Sequence, residues 1–217
     1  MGRSLYRWLA SHWVSGAAMM ATALLLLLPL LIPGWPLPLL LIFLHGPGYM
    51  LHQVEEHAGD RFRRYINQVV LGGREGLTTL DVLWINLAGV WGVNLLALYV
   101  AAWVGPGWGL IAPYLMLVNA LSHLGAAARH RAYNPGVGTS AALFLPLALA
   151  SLMLIPATPA QHALGLAVAV AAHGLIIANL LRRLRALRVA EVQAATGSDA
   201  ISITKRQRPS APINRQR

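Results

Sequence analysis

ALLLLLPLLIPGWPLPLLLIFLHGPGYMLHQVEEH, residues 23–57, holds two long apolar runs parted by Pro33-Gly34-Trp35-Pro36 and ends on four ionisable side chains. About 20 apolar residues are needed for a helix to cross the ~30 Å hydrocarbon core of a bilayer. Extended upstream, the first run gives a span over 13–32, and the second gives one over 36–52. Within the second, His45-Gly46-Pro47-Gly48 predicts a break or kink, because proline has no N–H for the helical ladder and clashes with the preceding turn.

Four further spans follow, over 81–104, 108–128, 138–156 and 160–181, with joints marked by VGPGWG at 104–109, YNPGVG at 133–138 and IPATP at 155–159. Composition agrees: 57% of the residues are hydrophobic, only 11% are charged, and mean hydropathy is +0.57. A soluble domain carries roughly 25% charged residues. The fold class is therefore all-α, a polytopic membrane helical bundle of about six transmembrane helices. Residues 1–190 read as one transmembrane domain. Residues 191–217 turn polar and basic and read as a disordered cytoplasmic tail lying near anionic lipid.

The net charge of +10 is distributed by topology. With the amino terminus inside, the inner segments contain Arg3, Arg7, Arg61, Arg63, Arg64, Arg74, Arg129, Arg131, Arg182, Arg183, Arg185, Arg188, Lys205, Arg206, Arg208, Arg215 and Arg217, which is all 17 Lys and Arg residues. The outer turns carry none, so the positive-inside rule predicts both termini cytoplasmic. Arg3 and Arg7 precede an apolar run longer than a typical signal-peptide core, and PGWP follows it, so the first span reads as a retained anchor. The basic charge comes with no aromatic or domain signature, and no nucleic-acid role is expected. The partner is the lipid bilayer. Cysteine is absent, which excludes disulfides, thiolate metal sites and a cysteine nucleophile.

Chemistry must then come from the few polar groups inside the spans. At ~100° per residue, His52, Glu55 and Glu56 lie at roughly 0°, −60° and +40°, on one helix face, whereas His57 falls near 140° and points elsewhere. At the inner end of the fourth span, Asn119 and His123 are i and i+4, and His130 follows seven residues on along the same stripe. Tyr133-Asn134-Pro135-Gly136-Val137-Gly138-Thr139 reads as a turn in which Thr139 caps the next helix and the Tyr133 hydroxyl is free to reach over the site. Both helices bring these groups to one membrane side. His45 and His173 stand alone, and a neighbouring carbonyl or polar side chain is expected to satisfy each. Trp8, Trp13, Trp35, Trp103 and Trp108 read as interfacial belt residues.

Three of these stretches carry a family pattern: HxxEE at 52–56, NxxxH at 119–123 and YxPGxxT at 133–139. In that order they resemble the HXXEE domain family of bacterial integral membrane proteins, over roughly residues 40–180. The resemblance implies a bacterial inner-membrane location and supports grouping the residues, without supplying a reaction. A more distant likeness is to CAAX-type intramembrane proteases with an EExxxR motif, but Arg61 comes one position too late for it.

Ionisable groups inside a membrane bundle are functional candidates by default. The residues point first to a membrane metalloenzyme, hydrolase or oxidoreductase, acting on a lipid or other hydrophobic substrate. His52, Glu55, Glu56, His123 and His130 are the candidate ligands, and Glu55, Glu56, Asn119 and Tyr133 the candidate catalytic groups. Imidazole and carboxylate suit zinc or non-haem iron. The alternatives are a metal-free hydrolase in which paired carboxylates raise one another's pKa, and a proton, ion or small-molecule carrier.

Overall fold

The computed structural model of the protein describes residues 2–206. Every regular element among them is helical. Six long helical segments form the bundle: α1 (Gly2–Leu26), α2 (Leu37–His57), α3 (Thr79–Trp103), α4 (Pro106–His130), α5 (Val137–Leu154) and α6 (Pro159–Arg206). All but α2 are long and apolar enough to cross a membrane by length and composition. α2 is more polar because it carries the histidines and carboxylates of HQVEEH.

α2 is central, packing against α1, α3, α4 and α5, while α6 lies along α4. Of the break or kink expected at His45-Gly46-Pro47-Gly48, the break does not occur, since α2 runs unbroken through Pro47. Pro47 and Gly48 are buried on the helix, where neighbouring segments hold it in place. Small residues allow the helices to approach closely. Ile42, Ala97 and Ala101 crowd Gly109, where an added Cβ would come within 2.6 Å of Ile42 Cδ1 and 2.8 Å of Ala101 Cβ. Outward faces carry large apolar side chains, with Met153 83% and Trp103 80% exposed, as is expected of helices able to cross a membrane.

Two of the sequence expectations are corrected. Trp13 is no belt residue: it is buried in a cluster with Leu77, Val82 and Leu83. The stretch 191–206, assigned by composition to the disordered tail of 191–217, continues α6 as helix. Near its beginning Gln193, Ala194 and Ala195 are good helix formers, on a helix already nucleated by its long apolar segment. The rest of the tail, 207–217, lies outside the described residues.

The basic end of the bundle is tied by ion pairs. Thr78 caps α3 in a capping box with Asp81, and Arg183 of α6 donates to both oxygens of the same carboxylate. Arg74 reaches Glu191 at 3.0 Å. Asp81→Ala removes the reciprocal half of the capping box and one ion-pair partner, while the Thr78 hydroxyl keeps its bond from the backbone N–H of residue 81. Because Arg183 is partly exposed, the ion pair adds little, and a cost of about 1 kcal/mol is expected, lowering the thermal midpoint by roughly 2–4 °C. A scan in detergent checks this, with Arg183→Ala expected to shift the midpoint less.

Candidate metal centre

The last turns of α2 and α4 meet the start of α5 at the basic end of the bundle. On α2, His52 and Glu56 are i and i+4. Their side chains face His123 of α4, and all three are at least nine-tenths buried. His52 Nε2 lies 3.5 Å from Glu56 Oε2, and His123 Nε2 lies 3.4 Å from Glu56 Oε1. One ligand atom from each of the three lies within 4.8 Å of the others.

The tautomers follow from the partners behind each ring. Thr139 Oγ1 has one proton, and its acceptors are Glu55 Oε2 at 2.6 Å and the Gly136 carbonyl at 3.3 Å. Toward His52 Nδ1, 2.7 Å away, it can only accept. His52 therefore carries its proton on Nδ1. Asn134 Nδ2 donates to the His123 carbonyl, which turns Asn134 Oδ1 toward His123 Nδ1 at 2.8 Å and places that ring's proton on Nδ1 as well. Both Nε2 lone pairs then face the Glu56 carboxylate. His52 Nε2 is buried with no hydrogen-bond partner. Two lone pairs turned on a carboxylate repel unless a cation stands between them or a ring takes up a second proton.

Ring packing closes the site. Phe144 lies 4.2 Å from His52 between ring centroids, and Phe62 lies 5.8 Å from His123. Gly136, at φ +98°, seats the 133–139 turn against both imidazoles. A Cβ there would lie 2.8 Å from Cε1 of each ring, so only glycine fits by both conformation and space. Ser140–Phe144 is a π-helical segment, a local widening common at functional sites.

The family model described as a protein of unknown function with an HXXEE motif matches residues 43–151, half of the chain. The chain belongs to this family. No curated protein and no solved structure matches it. The match spans every residue of the centre, and in this HXXEE protein the two motif carboxylates have separate surroundings.

Glu55, placed by sequence among the ligands, turns away from the trio toward the 133–139 turn. It accepts from the Tyr133 hydroxyl at 2.8 Å, Gly138 N at 3.0 Å, and Thr139 N and Oγ1 at 2.6 Å each. Partial burial and this adjacent carboxylate push the Tyr133 phenol above its usual range, so Tyr133 stays a donor. Thr139, expected to cap the next helix, instead bridges Glu55 and His52. His130 is exposed at the end of α4 and is not brought to the trio, because seven residues move it about 10 Å along the axis from His123. Asn119 lies a turn before His123, and its enclosed Oδ1 has no hydrogen-bond partner.

His57 departs from the helical-wheel reading. Its Nε2 lies 3.0 Å from Glu56 Oε2, because the helix ends there and His57 takes φ −112° rather than a regular helical value. A buried network reaches the same nitrogen: Trp91 Nε1 donates to Gln53, Gln53 donates to Asn86, and Asn86 Nδ2 lies 3.2 Å from His57 Nε2. Sequence spacing gave no signal for that network or for Asn134. His45 and His173 do bond backbone carbonyls, of Leu41 and Ala169, as expected.

Proposed function

We propose that this HXXEE protein is an integral membrane metalloenzyme whose centre is His52, Glu56 and His123, acting on a lipid or membrane-embedded substrate at the cytoplasmic face. The observation that carries the reading is the pair of buried Nε2 lone pairs, fixed by Thr139 and Asn134, aimed with one carboxylate at a common point. Hydrogen-bonded partners behind each imidazole are the usual device that orients metal-ligating histidines. The spacing supports it too. Each imidazole lies 3.5 or 3.4 Å from one of the two Glu56 oxygens, and one ligand atom from each residue lies within 4.8 Å of the others, close enough to gather around one ion.

Three protein ligands leave a coordination position open, as in catalytic rather than structural sites. A zinc or iron(II) ion there supplies a Lewis acid. The chain's own groups hold that ion, exclude bulk water through Phe62, Phe144 and Gly136, and present Tyr133 at the exposed rim. The orientation, with both termini cytoplasmic, rests on the placement of all 17 basic residues. A metal-free pair of carboxylates is the poorer reading, because Glu55 is occupied by four donors and Glu56 faces the histidines.

Elemental analysis of the detergent-purified protein tests the proposal. The wild type is expected to hold about one zinc or iron per chain, and a His52→Ala, Glu56→Ala, His123→Ala variant none. Zinc directs substrate screening to lipid hydrolysis, and iron to lipid oxidation. A wild type that binds neither metal, after chelator-free purification and attempted reloading, overturns it.

A further inference from the structure

We infer that Glu55 is a positioning residue that acts on the metal centre through Thr139, fixing the tautomer of His52 so that its Nε2 lone pair is offered to the ion. The inference rests on the metalloenzyme reading and assigns the two motif carboxylates different tasks, Glu56 to hold the ion and Glu55 to hold the residue behind its ligand.

The chain of contacts is short and directional. Thr139 N and Oγ1 both reach Glu55 Oε2 at 2.6 Å, so the hydroxyl proton is committed to that oxygen and its lone pair is left for His52 Nδ1–H at 2.7 Å. Without an acceptor at Thr139, the imidazole proton has a better place on Nε2, where Glu56 Oε2 lies 3.5 Å away. In that tautomer His52 is a donor to Glu56 and no ligand. Glu55 also holds the turn as a whole, through Tyr133 and Gly138, and the turn carries Gly136 against both rings. Glutamine cannot replace it. All four groups aimed at the carboxylate donate, and a glutamine amide presents its own donor to some of them.

The test reads tautomer and affinity separately. In uniformly 15N-labelled, metal-free protein, the ring nitrogens of His52 are expected to report Nδ1–H in the wild type and in Thr139→Ser, which keeps the hydroxyl. In Thr139→Val, which keeps the shape without the acceptor, and in Glu55→Gln they are expected to report Nε2–H or a mixture. Zinc affinity by chelator competition should fall about 10–100-fold in Thr139→Val and Glu55→Gln, the range for loss of a partner behind a metal ligand, and recover in Thr139→Ser. Tyr133→Phe removes one donor from Glu55 and leaves Thr139 in place, so the His52 tautomer should not move. If Glu55→Gln does not fold, the Val and Ser pair at 139 decides alone. A wild type that binds zinc while Thr139→Val keeps both the Nδ1–H signal and the affinity overturns this inference and leaves the metalloenzyme standing. A wild type that binds no metal overturns the metalloenzyme reading, and this inference with it.

Discussion

Gly136→Ala is expected to abolish metal loading and to destabilise the protein by about 2–6 kcal/mol, a fall in thermal midpoint on the order of 10 °C. Two independent costs add at this position. At φ +98° an alanine is held in a region that L side chains rarely adopt. Its methyl would also stand 2.8 Å from Cε1 of both His52 and His123 and 3.2 Å from His123 Nδ1. These neighbours are not the free ends of flexible chains. The His52 ring is held between Phe144 and Thr139, and the His123 ring is pinned by Asn134. Either the turn lifts, breaking the contacts that set both tautomers, or the rings part and the Nε2 atoms no longer share a point. Gly46→Ala is the control, since a Cβ there meets nothing within 4 Å and the position is helical. It is expected to be neutral or stabilising by about 0.4–1 kcal/mol. Thermal scans and zinc content of the two variants check this. Equal behaviour would show that the turn does not seat on the histidines.

The helices were legible because membrane spans are long and the basic residues mark their ends; all six spans correspond to helices. At Pro47 local chemistry allows a break or a kink, and burial among four neighbouring helices rules out the break by keeping α2 continuous. Trp13 was misread because an interfacial tryptophan and one buried beneath a loop have the same sequence surroundings. Only the fold of 71–83 over α1 distinguishes them.

At the site, topology matched His123 to α2 only in depth, and helical spacing put His52 and Glu56 on one face, since i and i+4 positions share a face whatever else packs there. It could not choose between Glu55 and Glu56. They lie at similar angles on either side of His52, and the choice is made by where α4 and the 133–139 turn stand around α2. The roles of Asn134 and Thr139 were hidden for a related reason. Both sit in a stretch whose turn chemistry alone explains their residue types, and what they bond to is set by tertiary structure.

Glu56→Gln is the second substitution with a large expected effect, and it separates a metal centre from a structural hydrogen-bond network. Glutamine has almost the same shape and keeps one acceptor and one donor among His52, His57 and His123. In the metal-free protein the change removes a buried carboxylate that faces two imidazole lone pairs, so the fold should be little affected, with a midpoint within a few degrees of the apo wild type. Toward a divalent cation it removes the centre's only negative ligand. Loss of one partner of a buried ionic contact costs about 3–5 kcal/mol, or roughly 10²–10⁴-fold in affinity. At a zinc concentration about 100 times the wild-type Kd, bound ion stabilises the wild type by about 2.7 kcal/mol, which raises its midpoint by roughly 5–10 °C. Under the same conditions Glu56→Gln should rise by no more than about 1–2 °C. If zinc raised the midpoint of both proteins equally, the ion would be binding elsewhere, and His52, Glu56 and His123 would be a polar network that holds the ends of α2 and α4 together. A variant that failed to fold even without metal would point the same way, because only a structural network needs the carboxylate in the absence of an ion.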